Sequence, residues 1–307
     1  MIGRIVEIAS DGRHLSVERG FMTVAEGREE VARVPLDDIG VVLANAHGLT
    51  YSNNLLVKLA ERGAGMVLCG ANHMPAAWLW PVDAHHVQAA RMDAQIEAGK
   101  PLRKRLWQSV VREKVQSQGA VVESLGGSAE AFRTLASKVR SGDPDNIEAQ
   151  AARRYWPLIL GPDFRRDRGI DGPNAMLNYG YTVLRAATAR AITATGLHPS
   201  IGIHHSNRGN AFRLADDLME PFRPLIDLAV VRLTAEGETG VTPTVKQALV
   251  AMVYADMETA RGRTPLQTCL ERLAQSLAEA FMAHGGALEF PRSLLPLDAA
   301  AIGRAGP

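Results

Sequence analysis

The sequence has little cysteine and almost no net charge. Its two cysteines, Cys69 and Cys269, stand far apart, and neither belongs to a CxxC pair. That excludes a thiolate zinc site and a disulfide framework, and points to a reducing, cytoplasmic setting. The formal net charge is +1, so no whole-molecule electrostatic grip on nucleic acid follows. A nucleic-acid face would need basic residues concentrated locally, or an oligomer to present them. There is no run of about 18 uninterrupted apolar residues, so no membrane span is expected. The opening MIGRIVEIASDGRHLSVERG lacks the apolar core of a signal peptide. HExxH, the P-loop, GxSxG and a GxGxxG ahead of a helix are all missing, which leaves those chemistries no foothold.

What is present suggests two parts. The chain has 307 residues, of which 46% are hydrophobic, enough for one large or two modest cores. GRIVEIAS, HLSVERG, FMTVAEG and EEVARVPL are short β-branched runs divided by DG, RG and EG turn signals. DDIGVVLAN reads as a buried strand, and GMVLCG and MPAAWLWPV as further strands. Between them YSNNLLVKLAERG reads as a helix, capped by Ser52 or Asn53 and ended by Gly63. After Pro81 the periodicity lengthens to that of helices, from HVQAARMDAQIEAG to TPLQTCLERLAQSLAEAFMAHG. Asp145 ahead of NIEAQ and Thr264 ahead of Pro265 are expected to cap two of them. TPTVKQALVAMVYADMETA reads as one helix, and PLDAAAIGRAGP as a loosely docked tail. The expected fold is therefore α+β: a β-rich domain over 1–80, a linker over 81–86 and a larger all-α domain over 87–307.

Two kinds of residue carry candidate chemistry. GIHHSNRGNAFRLADDLMEPFRP, from Gly202 to Pro224, holds His204 and His205, then Asp216, Asp217 and Glu220. Neighbouring side chains in an extended segment point opposite ways, so at most one histidine faces a given site. Asn207 and Asn210 can tie the loop down. Both aspartates lie at helical spacing from Glu220. Pro221 cannot sit deep in a helix, so the acids belong to a helix start or kink. Helix capping explains them as readily as ligation does. Glu148, near the start of another helix, has the same plain reading. Taken together, carboxylates and imidazole suit a hard or borderline divalent ion, magnesium or manganese. The second kind is basic. Six Lys/Arg fall between Lys100 and Lys114, against Glu113 alone. Five arginines fall between Arg153 and Arg168, with Tyr155, Trp156 and Phe164 among them. Each run can be a solvated face. Beside a metal, arginines and aromatics are also what phosphodiester chemistry needs.

Four stretches together resemble the CRISPR-associated integrase family of spacer acquisition. They are VPLDDIGVVLANAHGLTYSNNLLVKLAERGAGMVLCGANHMPAAWLWPV, NIEAQAARRYWPLIL, DGPNAMLNYGYTVLRA and SIGIHHSNRGNAFRLADDLMEPFRPLID. The resemblance spans roughly residues 1 to 260. The double histidine, Asn207, Asn210 and the ADDLMEPFRP wording resemble most the branch that accompanies the single-protein RNA-guided nuclease, the type II branch.

The resemblance implies a site. Glu148 matches the glutamate ligand. His205, three residues after Gly202, matches the histidine ligand. Glu220 matches the final acidic ligand, and Asp217 a second acid close by. The implied cofactor is Mg2+ or Mn2+. Arg103, Lys104, Arg105, Arg153, Arg154, Arg165, Arg166, Arg168, Arg223, His204 and Asn207 are the candidate DNA contacts. The implied partners are double-stranded DNA (a captured fragment and the CRISPR repeat), a second copy through the β-domain, and a small ferredoxin-like adaptation subunit. The implied reaction joins the 3′-hydroxyl of captured DNA to the repeat edge. Two rivals stay open: a stand-alone metal-dependent nuclease acting in repair, and a DNA-binding protein without catalysis.

Overall fold

Glycine turns cut the first part of the chain into strands. The computed structural model describes residues 3–70, 75–82, 85–167 and 169–299. It separates into two units, Met1–Gln88 and Ala89–Pro307. In the first, β1 (Arg4–Ile8), β2 (Arg13–Glu18), β3 (Phe21–Glu26) and β4 (Glu29–Pro35) follow one another. Gly12, Gly20 and Gly27 take positive φ in the turns between them, a conformation that costs glycine nothing. β5 (Ile39–Ala44) is buried at every position. It lies inside a four-stranded sheet, parallel to β1 on one side and to β7 (Gly65–Cys69) on the other. A strand covered on both faces reads as an unbroken apolar run, which is why IGVVLA does not alternate.

β8 (Pro75–Leu79) closes that sheet antiparallel to β7. The second sheet is the β2–β3–β4 meander, extended by the short β6 (Thr50–Tyr51) parallel to β2. Helix α1 (Asn53–Glu61) begins at Ser52, whose hydroxyl accepts from the Leu55 amide. Leu15, Met22, Leu36, Val42, Leu55, Leu59 and Met66 form one core from the strands and α1.

The second unit is helical apart from one hairpin. Its helices are α2 (Gln88–Glu97), α3 (Lys100–Ser124), α4 (Glu130–Lys138), α5 (Ile147–Leu160) and α6 (Pro173–Ala194). Then come α7 (Arg213–Met219), α8 (Arg223–Ala235), α9 (Pro243–Ala251) and, after the hairpin, α10 (Leu266–Met282). α6 buries residues on nearly every side, among them Leu177, Tyr179, Val183, Ala187 and Ile192. It is the central helix, packed by α7, α8, α9 and α10. α3 packs on α4, α5, α8 and the short turn Glu220–Phe222.

Several local expectations are corrected. The stretch expected as one helix over TPTVKQALVAMVYADMETA stops at Ala251. After one tighter turn it becomes β9 (Asp256–Thr259), paired antiparallel with β10 (Gly262–Pro265). Thr264 is therefore a strand residue and no cap. Its hydroxyl is engaged with Thr259 and the Gly262 carbonyl at 3.0 and 3.1 Å. Asp145 does not cap α5 either, because its carboxylate takes two hydrogen bonds from Arg140. The cap is Asn146, held in a left-handed conformation and accepting from the Ala149 amide. The described part of the expected loose tail is docked: the Leu297 amide donates to the Asp256 carbonyl at 2.8 Å. Residues 300–307 of that tail, and 83–84 of the expected linker, lie outside the described residues.

Close helix packing makes one position testable. A Cβ on Gly180 of α6 would stand 2.5 Å from the Ile226 Cγ2 of α8 and 3.4 Å from Leu249 of α9. Ile226 is β-branched and wedged, so it has little room to yield. Gly180→Ala is expected to destabilise the protein by about 1–3 kcal/mol, read as a lower midpoint in urea denaturation.

Candidate functional site

α3 supplies the floor of the site. Trp107 and Lys114 are seven residues apart, two helical turns, and share the face that also carries Val110, Val111 and Gln118. Lys114 is the charged member of that face, with a side chain only 12% exposed. Its Nζ lies 2.7 Å from Glu148 Oε1 and 2.6 Å from Glu220 Oε2. Glu148 sits in the first turn of α5. Asp143 accepts from the amides of Ile147 and Glu148 and so fixes that turn. Glu220 sits at the kink between α7 and α8, where Pro221 begins a new turn. The expectation of a kink at the acids is met, and its cause is the proline's missing N–H.

Glu220 is only 4% exposed, and its other oxygen meets Arg223 at 3.1 Å. Burial alone would raise its carboxyl. Arg223 and Lys114 outweigh that, with His205 adding to them, and hold it below the usual range. The converse holds for Lys114, where burial would lower the ammonium but Glu220 and Glu148 keep it raised. Both partners are thus charged.

His205 is organised by Asp217, which is fully buried. The Asp217 carboxylate accepts from the amides of Ile203, His204 and His205 at 2.7, 3.1 and 3.2 Å. It also meets His205 Nδ1 at 2.6 Å. That contact leaves Nε2 as the ring nitrogen available to a ligand. Asp217 therefore acts behind the histidine. Gly202 is what allows this fold of the loop: a Cβ there would fall 2.8 Å from Asp217 Oδ2 and 2.9 Å from the His205 carbonyl. Gln95, fully buried on α2, clamps the same loop from below. It donates to the carbonyls of His198 and Ile201 and accepts from the His198 amide.

The remaining candidates divide. Asp216 does not approach Glu220 as a ligand partner. It is taken by Arg185 at 2.7 Å and by Asn210 at 2.7 Å. His204 is exposed and lies flat on buried Trp107, with centroids 4.1 Å apart and planes 1° from parallel. Asn207 and Asn210 stabilise the loop as expected, accepting from the Gly209 and Phe212 amides.

The basic residues divide in the same way. Arg103, a candidate DNA contact, is engaged within the protein. Its guanidinium donates to the carbonyls of Gln95, Ala98 and Gly202. Lys104, Arg105, Arg153, Arg154 and Arg165 are exposed. Arg166 turns inward, onto Asn174 and Asn178 and over the Tyr181 ring. Arg223 lies over the same ring from α8. Arg168 lies outside the described residues.

Among the described residues, no three His, Cys, Asp or Glu side chains form a ready metal cluster. The Lys114 ammonium stands between the two carboxylates instead. The donor types still fit a divalent ion. Glu220 Oε2 is buried and meets the ammonium outside hydrogen-bond geometry, so it is an oxygen with capacity to spare. Lys114, Trp107, Gln95 and Tyr181 are the residues that sequence reasoning missed. For Lys114 a signal existed: a lysine in the run Val110, Val111, Lys114, Val115 and Gln118 falls on an apolar helix face. Tyr181 donates to Asp227, whose carboxyl burial pushes up to about 7 despite that bond.

The histidine generates a pH prediction. The Asp217 hydrogen bond outweighs burial and holds the His205 pKa above its ordinary 6.5. A raised folded-state value means that the stability from this pair is fully present below pH 6.5. It is lost as pH rises through the folded value. In metal-free protein the His205 ring resonances should titrate above 6.5, and Asp217→Asn should move the midpoint down. An unchanged midpoint in NMR would refute the pairing.

The chain matches the family model described as "CRISPR associated protein Cas1" over residues 6–248. It is 36% identical over 273 residues to a CRISPR-associated endonuclease Cas1 of Neisseria meningitidis serogroup C, covering 88% of this chain and 89% of that protein. Its fold is similar to that of a casposase bound to integration product, with a TM-score of 0.79 and 20% identity over 94% of this chain and 93% of that one. It is also similar to a chain of a Cas6-RT-Cas1–Cas2 complex, with a TM-score of 0.74 and 16% identity over 92% of this chain and 35% of that one. With its β-rich unit, its helical unit and this extent of match, the chain belongs to the CRISPR-associated protein Cas1 family.

Proposed function

We propose that this protein is a divalent-metal-dependent DNA integrase of CRISPR adaptation. It joins the 3′-hydroxyl ends of short captured DNA to the edge of a CRISPR repeat. The observation that carries this reading is the meeting of Glu148 and Glu220 on one point, 2.7 and 2.6 Å from the same ammonium. His205 is held nearby through Nδ1. The likeness in fold to a casposase bound to integration product supports the reaction type. Glu148, His205 and Glu220 are the side chains that would hold Mg2+ or Mn2+, which supplies a Lewis acid for the scissile phosphate.

The chemistry is a transesterification. The attacking 3′ oxygen loses its proton and forms a new P–O bond. The repeat's own P–O bond breaks, and the departing 3′ oxygen takes up a proton. With water as the attacker the same site nicks DNA, in keeping with the endonuclease name of the relative. Asp217 orients the imidazole, and Arg223 offsets the charge of Glu220. Lys104, Arg105, Arg153, Arg154 and Arg165 hold backbone phosphates without reading sequence. Arg166, Asn207 and His204 are further candidate DNA contacts of this reading, as is Arg168, which lies outside the described residues. The near-neutral chain then needs company: a second copy through the β-unit, and the small ferredoxin-like subunit. The fold match to a chain of a Cas1–Cas2 assembly supports that company. The type II branch and a cytoplasmic setting complete the reading, and Cys69 and Cys269, not joined in a disulfide, suit a reducing compartment.

Single variants test the site. Glu148→Gln, His205→Ala and Glu220→Gln should each lower strand transfer by at least about 100-fold with Mg2+ or Mn2+, while DNA retention in gel shift persists. Survival of strand transfer in all three would favour a DNA-binding protein without this chemistry. Hydrolysis of any duplex at the same rate with and without the small partner would favour a stand-alone nuclease.

A further inference from the structure

The Lys114 ammonium occupies the one point on which both candidate ligand carboxylates converge. Resting on the reading of Glu148 and Glu220 as ion ligands, we propose that Lys114 is the resident cation of this site. It holds the two carboxylates together until a divalent ion displaces its ammonium.

Charge count is the first argument. Glu148 and Glu220 bring two negative charges, and Lys114 and Arg223 bring two positive ones within 3.1 Å of them. The cluster is already neutral. A divalent ion entering beside an ammonium gains little from carboxylates that are already paired. An ion that replaces the ammonium gains both.

The choice of side chain is the second. A lysine is a point charge on a four-carbon stem with freely rotating bonds, so it can leave by torsion alone. Arg223 is less free to move, because its guanidinium lies over the Tyr181 ring while it meets Glu220.

Room is the third. Lys114 also lines a cavity of about 160 Å3 beside the site, with Gln118, Tyr181, Arg223 and Asp227 among its walls. A released ammonium can turn into that polar space without any movement of α3. Gln118 and Asp227 offer it oxygens there.

The cation has a use in both states. Before the ion arrives, it prevents buried Glu220 and half-buried Glu148 from repelling each other and opening the joint between α5 and the kink. Afterwards it stands at the rim of the ion's own site.

The test is Mn2+ binding to full-length, metal-free protein, followed by electron paramagnetic resonance. Lys114→Met and Lys114→Gln should both bind Mn2+ at least about tenfold more tightly than wild type. Their melting temperatures in chelator should fall, and the rise on adding Mn2+ should exceed that of wild type. If Lys114→Met is unfolded in chelator, Mn2+ should restore its far-ultraviolet circular dichroism. Equal or weaker Mn2+ affinity in folded Lys114→Gln, or no recovery of Lys114→Met by Mn2+, would overturn the proposal. Glu148→Gln separates that failure from a deeper one. If Glu148→Gln binds Mn2+ as wild type does, the ion does not use these carboxylates, and the metal-site reading falls along with the inference.

Discussion

One buried carboxylate, one half-buried carboxylate and a largely buried ammonium tie the helical unit together. Glu148 comes from the start of α5, Glu220 from the kink after α7, and Lys114 from the middle of α3. None of these groups is stable in an apolar interior alone. Together, with Arg223 completing the set, they are. Removing one member of such a buried set typically costs about 3–5 kcal/mol, because it strands the others. The same contacts therefore specify how α3, α5 and the α7–α8 joint meet, and bring the two carboxylates to one point.

A second buried acid does different work. Asp217 gathers three consecutive loop amides and the His205 ring. The loop has few other reasons to adopt one shape. Gln95 and Arg103 grip its carbonyls, and Gly202 leaves the space that the carboxylate fills. Of three acids within five residues, one serves the centre, one orients the histidine, and one, Asp216, ties down Arg185 and Asn210. The division follows from helical rotation: Asp216 and Asp217 point about 100° apart, and the kink re-aims Glu220.

Strong local signals were readable. Turn glycines, the unbroken apolar run of β5, the Ser52 cap and the long helical periods follow from backbone preference and burial, which short stretches encode. Pro221 foretold the kink in the same way. The weaker readings failed where a longer-range partner competed. Asp145 had the chemistry of a cap but was claimed by Arg140. Thr264 was claimed by the hairpin. In each case the residue type was suited to the expected role, and a different neighbour reached it first.

By itself, the sequence determined the order of elements outside the β9–β10 hairpin, the kink at the acids, the family and a short set of candidate residues. These depend on spacing and on groups close along the chain. Only the tertiary structure decided which acid meets which base. Glu148 and Glu220 are far apart in sequence, and their meeting depends on how α3 packs against both of their elements. Lys114 stood inside a basic run that read as a solvated face. The apolar helix face hinted at its burial, but its place between the carboxylates comes from packing that no local pattern encodes.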